Sequence, residues 1–306
     1  MPKNHHKTST TSGLHLPVLV NEVLAVLDPQ KGESYLDMTA GFGGHASAVL
    51  QLTVNPTEAI LVDRDKEAVD YLQRKFASQK LVIMHRDFLG ACQDLSEQGR
   101  QFDLILADLG TSSVHLDQAK RGFSIQNAGP LDMRMDQSQP LSAADIVNQW
   151  DEADIAKILK DFGEEPKAKA IARQIVAARP LKTTQDLVVV VGRAWHGFSR
   201  VHPATRTFQA LRIAVNSELT QLEQSLPLMQ RLLAPGGRLG VISFHSLEDR
   251  IVKRFLAEEA GGGYDSEMTN LTKKPITASH DELVSNPRAR SAKLRAAAKI
   301  KTKRKE

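Results

Sequence analysis

Short apolar runs alternate with amphipathic segments along the first third of the chain. Each run has the length and the apolar content of a buried strand and ends in a polar turn; the four runs are Ser34–Thr39, Ala59–Val62, Leu81–His85 and Phe102–Ala107. Apolar residues at helical spacing predict helices over Val20–Leu27, His45–Leu52 and Lys66–Phe76. Strands and helices that alternate in this way predict an α/β fold with a parallel sheet and helices on both faces.

The pattern changes after Gly110. Helical spacing then predominates, with intervening loops rich in turn residues, and predicts helices over Ala143–Gln149, Glu152–Phe162, Lys167–Ala178 and Thr184–Trp195 and a long amphipathic stretch over Phe208–Leu233. A strand at Arg238–Phe244 restores the α/β pattern, and a further helix runs to about Glu259. Two β-like segments, Leu271–Thr277 and Ser291–Ala297, are predicted to close the sheet edge as a hairpin.

An inserted, mostly helical domain explains this change of pattern. We predict that the insert occupies residues 111–216 and divides the α/β domain into residues 14–110 and 217–306. Residues 1–13 are polar and rich in Ser, Thr and His, and we predict that they are disordered.

Composition and charge narrow the class of protein. No apolar run approaches the ~18–20 residues of a membrane-spanning helix, and the first residues lack the apolar core of a signal peptide, so we expect a cytoplasmic protein without a membrane partner. Cys92 is the single cysteine, which excludes an internal disulfide and argues against a cysteine-based zinc site. From residue 286 to 306 nine basic residues face one acid, a balance that suits nucleic-acid phosphates or a solvated terminus.

A glycine turn, Gly41-Phe42-Gly43-Gly44-His45, follows the first predicted strand and opens a helix. Turns of this kind present backbone N–H groups and a helix N-terminus to nucleotide-like ligands, although glycines also recur in such turns for steric reasons. Asp63 lies about 20 residues further on, where an acceptor meets ribose hydroxyls. Asp37 precedes the turn and would repel a pyrophosphate; it either holds the amine-bearing end of S-adenosylmethionine or orders the turn.

The end of the fourth strand, Asp108-Leu109-Gly110, provides a second candidate site. Ligands of open parallel sheets react at this carboxyl edge. The lone pair of an exocyclic amine is delocalised into its base, so an acceptor aimed at the N–H increases the nucleophilicity of the nitrogen. For both Asp63 and Asp108 a purely structural role, as a helix cap or strand-end acceptor, stays open.

Long motifs along the chain, from about His15 to Ala297, resemble those of the bacterial ribosomal RNA small-subunit methyltransferase H family, also called MraW. The motifs are the glycine turn, Asp63-Arg64-Asp65, Asp108-Leu109-Gly110-Thr111-Ser112-Ser113, Arg121-Gly122-Phe123-Ser124, Gly129-Pro130-Leu131-Asp132-Met133-Arg134-Met135, His202-Pro203-Ala204-Thr205-Arg206-Thr207-Phe208-Gln209-Ala210-Leu211-Arg212, Asn216-Ser217-Glu218-Leu219, Leu233-Ala234-Pro235-Gly236-Gly237-Arg238-Leu239 and Ser243-Phe244-His245-Ser246-Leu247-Glu248-Asp249-Arg250. The resemblance implies a Rossmann-like class I S-adenosylmethionine methyltransferase sheet with an inserted helical domain that recognises the substrate. It also implies methylation of the exocyclic N4 amino group of a decoding-region cytidine in 16S ribosomal RNA.

The resemblance assigns roles to individual residues and requires no metal. The family's contacts to S-adenosyl-L-methionine correspond to Gly43, Gly44, His45, Asp63, Phe88, Asp108 and His115. Asp63 is expected to accept from the ribose hydroxyls, Phe88 to lie against the adenine, and Asp108 to be the catalytic residue that holds the target amine. Many relatives carry Gln in place of His115.

The implied partner is small-subunit ribosomal RNA, within a ribosomal subunit, and a homodimer is compatible with a chain of this size. Candidate RNA contacts are Arg134, Arg206, Arg212 and the basic tail, although the arginines could equally join the insert to the sheet. His245 and Ser246 suit either a substrate contact or a helix cap, and His202 would share a face with Arg206 if the helix began by then. Trp150 and Trp195 are expected in a core. Two rival functions stay open, a DNA amino-methyltransferase and an inactive nucleic-acid-binding assembly factor.

Overall fold

A computed structural model of the protein describes residues 17–111, 117–195, 201–261 and 266–300. Within these ranges seven strands form one sheet in the order β3-β2-β1-β4-β5-β7-β6. The strands are β1 (Tyr35–Asp37), β2 (Ala59–Asp63), β3 (Val82–His85), β4 (Phe102–Asp108), β5 (Leu233–Ser243), β6 (Met268–Asn270) and β7 (Lys293–Lys299). The first five are parallel, and β7 runs antiparallel to both β5 and β6.

Helices cover both faces of this sheet because each presents an apolar stripe to it. They are α1 (Val20–Leu27), α2 (Gly44–Thr53), α3 (Lys66–Lys75), α4 (Phe88–Glu97), α10 (Glu218–Leu232) and α11 (Ser246–Glu259), with a short α12 (His280–Ser285) near α1. One core, below α4, α10 and α11, includes Ile105 of β4 together with Leu226 of α10 and Val252 of α11. A second core on the opposite face includes Leu27, Val49 and Leu72.

The insert lies between β4 and β5 and has its own core. Its helices are α5 (Ala143–Gln149), α6 (Glu152–Gly163), α7 (Ala168–Ala177), α8 (Thr184–Ala194) and α9 (Thr205–Asn216). Ile155, Ile171 and Leu211 are among the buried residues of this third core. Trp150 and Trp195 pack against it, as expected from the sequence. The predicted α/β class, a Rossmann-like sheet with a mostly helical insertion, is confirmed, while the domain boundaries at residues 110 and 217 stay a prediction.

Two predicted elements differ from the structure, and one helix was not predicted. The amphipathic stretch Phe208–Leu233 is two helices, α9 and α10, because Ser217 between them adopts a left-handed backbone with φ of 51°. Segment Leu271–Thr277 is not a regular strand: β6 precedes it, and only Ile276 bridges to Leu294. Helix α4 follows β3 and was not predicted; it is capped by Asp87, whose side chain accepts from the Gly90 N–H.

The topology brings the carboxyl ends of the five parallel strands to one edge of the sheet. Strand β1 pairs with β2 on one side and β4 on the other, with Asp37 level with both Leu61 and Leu106. The chain order of the strands reverses between β1 and β4, and open α/β sheets bind ligands at such a switch point, outside the carboxyl ends of their strands. No helix in the described ranges is long and apolar enough to cross a membrane.

Candidate active site

A cavity of about 330 Å³ lies at the carboxyl edge of the sheet, at this switch point. Residues from the turns after β1, β2, β3, β4 and β5 line it, together with residues of α10; they include Gly41, Gly44, His45, Asp63, Phe88, Asp108, Glu218, Phe244 and Glu248. Five predicted site residues therefore share one cavity, namely Gly44, His45, Asp63, Phe88 and Asp108. His115 lies outside the described residues.

The glycine turn owes part of its sequence to packing. Gly43 has a φ of 70°, and a Cβ at this position would lie 2.8 Å from the Phe76 ring and 2.9 Å from Leu72. Its N–H donates to the Ala40 carbonyl at 2.7 Å. Lys75 Nζ donates to the carbonyls of Phe42 and Gly43 at 3.0 and 2.9 Å. Gly43 is absent from the cavity wall, so the geometry explains the glycine by backbone and helix packing, and its predicted cofactor contact stays a prediction.

Asp63 ties the end of β2 to the glycine turn. One carboxylate oxygen accepts from the Gly41 N–H at 2.7 Å, and the other accepts from the Asp65 N–H at 2.8 Å. Asp65 in turn caps α3 and receives a hydrogen bond from the buried Arg121 of the insert at 2.9 Å. The side chain that is expected to meet a ribose is therefore held in place from both sides.

Asp37 serves the turn rather than the cavity. Its carboxyl accepts from the Tyr35 hydroxyl at 2.8 Å and from the Thr39 N–H at 3.2 Å. Burial raises the pKa of Asp37 to about 6, although the nearby His45 and the Tyr35 hydrogen bond act in the opposite direction. Of the two roles suggested by the sequence, ordering of the turn is the one that these contacts support.

Asp108 ends β4 beside His45. Its Oδ2 lies 3.6 Å from His45 Nδ1, and its Oδ1, although buried, finds no hydrogen-bond partner among the described residues. Burial raises the pKa of Asp108 to about 8, and the nearby negative charge of Glu248 adds to this effect. Burial also lowers the pKa of His45, so its ring is neutral at physiological pH, and its Nε2 lies 2.8 Å from the Val18 carbonyl. Because that carbonyl can only accept, we assign the proton to Nε2.

A buried charged cluster of Arg212, Glu218, His245 and Glu248 lies next to Asp108. Arg212 donates through Nε and Nη2 to the two oxygens of Glu218, at 2.9 and 2.8 Å, and its Nη2 lies 4.0 Å from Glu248. Burial alone would raise the pKa of Glu248, but His245 and Arg212 keep it below its usual range. Glu218, His245 and Glu248 are close enough to hold a metal ion, yet the Arg212 guanidinium already supplies positive charge to both carboxylates.

Most of the polar residues proposed for RNA contact make internal hydrogen bonds. Arg134 pairs with Asp132 within the insert, and Arg206 donates to the Glu164 carbonyl at 2.9 Å. His202 lies outside α9, which begins at Thr205, so the shared helix face is wrong.

His245 and Ser246 are both occupied by contacts at the start of α11. His245 forms a capping box with Glu248, so of its two suggested roles the helix cap is the one that these contacts support. Ser246 Oγ donates to the Glu164 carboxylate across the boundary of the insert, at 2.7 Å. These contacts therefore account for both side chains without a role in substrate binding.

Phe244, Glu218 and Glu248 line the cavity but were not singled out from the sequence. Phe244 directly follows the last central strand and therefore had to reach the same edge as Asp108, a signal that the strand prediction already contained. Glu248 carries only the spacing of a capping box, and the orientation of Glu218 depends on the left-handed Ser217 that precedes it. Neither of these local signals points to a cavity.

The chain is similar to known proteins along most of its length. The family model described as "MraW methylase family" matches residues 12–300. Ribosomal RNA small subunit methyltransferase H of Synechocystis is 46% identical over 97% of this chain and 97% of its own length. The protein of the same name from Acidobacterium capsulatum is 48% identical over 93% of this chain and 98% of its own. A solved methyltransferase homologue from Pyrococcus horikoshii is 14% identical, with a TM-score of 0.46 over 96% of this chain and 73% of that one.

Proposed function

The chain belongs to the MraW methylase family, and we propose on this basis that it methylates the exocyclic N4 amino group of a decoding-region cytidine in 16S ribosomal RNA. The methyl donor is S-adenosyl-L-methionine. The observation that carries the reaction type is Asp108, a buried carboxylate with one oxygen unpartnered among the described residues, at the end of a central strand.

The cavity fits the donor in size and in chemistry. It is enclosed on one side by the glycine turn and contains a carboxylate at the end of each of β2 and β4, with an aromatic ring at Phe88. Gly44 and His45 would hold the methionine portion, Asp63 the ribose hydroxyls and Phe88 the adenine face. S-adenosylmethionine supplies, when bound, an electrophilic methyl group on a positively charged sulfur.

The protein's part in the reaction is to orient the amine and to receive its proton. Asp108 Oδ1 accepts a hydrogen bond from one N–H of the target amine, which directs the nitrogen lone pair towards the methyl group. As the new nitrogen–carbon bond forms, the sulfur–methyl bond of the donor would break and leave its electron pair on the sulfur of S-adenosylhomocysteine. The nitrogen must also lose one proton, and Asp108, with a pKa raised to about 8, would hold it. Alignment supplies most of the rate because methyl transfer needs the three reacting atoms in line.

The substrate is small-subunit ribosomal RNA, and we extend the proposal to the assembled subunit in the cytoplasm. The target base has to leave its stack to reach the cavity, as in other enzymes that modify bases. Exposed basic residues such as Arg290 provide charge for the surrounding phosphates, and Arg288 reaches the cavity wall itself. A homodimer belongs to the same proposal and is tested by the mass of the protein in solution.

One experiment tests this function directly. The protein is incubated with methyl-labelled S-adenosylmethionine and, in parallel, with small ribosomal subunits that lack the modification, free 16S RNA and DNA. We expect label in N4-methylcytidine of the ribosomal RNA, located by nuclease digestion and mass spectrometry. Label confined to DNA would favour the rival DNA amino-methyltransferase. Bound donor without any transfer would favour the inactive assembly factor.

A further inference from the structure

Aromatic side chains line the cavity at two separate places. Phe42 and Tyr71 pack edge to face beside the glycine turn, with ring centroids 5.0 Å apart, and Phe88 lies at the start of α4, just after β3. These three rings are on the side assigned to the donor. Phe244 lies instead at the end of β5, beside the turn that carries Asp108.

The Phe244 ring lies directly against the acceptor turn. A Cβ on Gly110 would be 3.4 Å from Phe244 Cδ2, and Gly110 has a φ of 93° that strongly favours glycine. Any larger side chain at position 110 would extend over or against this ring. The absence of a side chain at Gly110 therefore keeps the ring accessible from the turn.

The backbone of Phe244 is fixed by its neighbours. Its N–H donates to Glu248 Oε2 at 2.8 Å. Two residues earlier, the Ile242 carbonyl accepts from the Leu109 N–H at 2.9 Å, and Ile242 pairs with Asp108 in the sheet register. The ring itself is partly buried against the second core of the sheet, which includes Leu106 of β4 and Ile242 of β5. One part of the ring thus packs on the protein, while the remainder faces the cavity.

We propose that Phe244 is the platform on which the target base stacks while its exocyclic amine faces Asp108. The inference rests on the proposed function, because it assigns the acceptor side of the same cavity. Aromatic rings bind bases through their π-faces with little dependence on sequence. The Asp108-Leu109-Gly110 turn has no aromatic residue of its own, and Phe244 provides one from the neighbouring strand.

The test is Phe244→Leu, which keeps an apolar side chain but removes the π-face. With unmodified small ribosomal subunits and labelled donor, we expect kcat/KM for the subunit to fall about 5- to 150-fold, the range of a lost base–aromatic stack. The dissociation constant for S-adenosylmethionine, measured by calorimetry, should stay within about twofold of the wild type, since an apolar residue still closes that wall. Phe244→Tyr should restore most of the lost kcat/KM because it restores the ring.

Two matched substitutions separate stacking from packing. Phe88→Leu lies on the donor side and should weaken S-adenosylmethionine binding. Phe255→Leu lies on α11, where Phe255 packs partly buried against the opposite core, and should lower the melting temperature without changing kcat/KM. Phe244→Leu with a wild-type kcat/KM would overturn the inference, as would an equal loss in Phe244→Tyr. Wild-type protein that methylates no RNA would instead contradict the proposed function.

Discussion

At the scale of single residues, Asp37 and Asp108 differ in how their carboxyl oxygens are hydrogen-bonded. Both end neighbouring strands, and burial raises the pKa of both. Asp37 accepts hydrogen bonds on both oxygens, whereas Asp108 Oδ1 finds no partner in the described part of the chain. A buried acceptor without a partner costs free energy, which is tolerated where a ligand supplies the donor.

Asp108→Asn should therefore separate activity from stability. An amide cannot take the proton of the amine, so we expect the methylation rate to fall about 10²- to 10⁴-fold. The folded-state pKa of Asp108 is raised to about 8 from an ordinary 3.8, so its stability contribution is fully present below pH 3.8 and is lost as the pH rises through 8. The variant avoids this loss.

Thermal unfolding without ligand checks the stability half of that prediction. Near pH 8 we expect the melting temperature of Asp108→Asn to exceed that of the wild type by about 2–4 °C for each kcal/mol of stability that the substitution recovers. Near pH 4 the two melting temperatures should be close. A lower melting temperature near pH 8 would show that ionised Asp108 stabilises the fold through a contact not seen among the described residues.

Glu248→Gln should shift the pH dependence of methylation. In the proposed mechanism ionised Asp108 is the active form, so kcat/KM should rise with pH through the pKa of about 8 in the free enzyme. The negative charge of Glu248 contributes to the raised pKa of Asp108, so removing that charge should lower the pKa. The increase of kcat/KM should then occur at lower pH. Glutamine keeps an oxygen for the Phe244 N–H. The control is Glu258→Gln, an exposed residue of the same helix; an unshifted profile in Glu248→Gln would argue against the coupling.

At the scale of elements, local sequence signals predicted the positions of helices and strands better than they predicted which elements pair with one another. Both ends of α1 and α5 were predicted from apolar spacing and flanking residues. Helix α4 was not predicted, although Ala91, Cys92 and Leu95 on its buried face have helical spacing. Strand β6 was misplaced because pairing with β7, rather than its own three residues, makes it a strand.

The residues of the candidate site likewise differ in whether local sequence signals predict them. Asp63 and Asp108 were predictable because the ends of parallel strands meet at one edge, which a correct strand prediction already implies. Glu218 was not, because its place in the cavity depends on the break between α9 and α10. Contacts that join separate elements leave no periodic signal in the sequence.

Gly43→Ala tests whether the glycine turn is constrained by packing. Gly43 and Gly99 have similar backbone angles, with φ of 70° and 65°, but a Cβ at Gly99 would meet nothing within 4 Å. Both substitutions place an alanine in a left-handed backbone conformation, which costs free energy. Only Gly43→Ala also forces Leu72 and Phe76 to move. We expect Gly43→Ala to be about 1–3 kcal/mol more destabilising than Gly99→Ala in denaturant unfolding. Equal losses of stability in the two variants would mean that helix α3 moves to accommodate the added Cβ without a cost in free energy.

At the scale of the whole molecule, charged contacts join the insert to the sheet at two levels of burial. Arg212 of α9 pairs with Glu218 where the two side chains are 16% and 9% exposed. Arg250 of α11 pairs with Glu164 of the insert where both are almost half exposed, at 48% and 44%. The first pair lies beside the cavity, whereas the second is open to solvent.

Arg212→Met and Arg250→Met should consequently differ in cost. Removing Arg212 leaves two buried carboxylates without their cation, and we expect a loss of about 3–5 kcal/mol in the free energy of unfolding. Removing Arg250 breaks a solvent-screened pair, for which we expect about 0–1 kcal/mol. Denaturant unfolding of both variants in parallel measures the difference. Similar losses would indicate that water reaches the Arg212 pair.

The position of β7 between β5 and β6 has a consequence for biosynthesis. Strand β6 precedes β7 in the chain, yet β7 is the strand with which it pairs. During translation β6 therefore leaves the ribosome before its partner exists, and Arg288 of the cavity wall also emerges after β6. A nascent chain can fold its first four strands early, as N-terminal segments commonly do. It cannot complete its own cavity until Arg288, which follows all the other residues of the cavity wall in the chain, has left the ribosome.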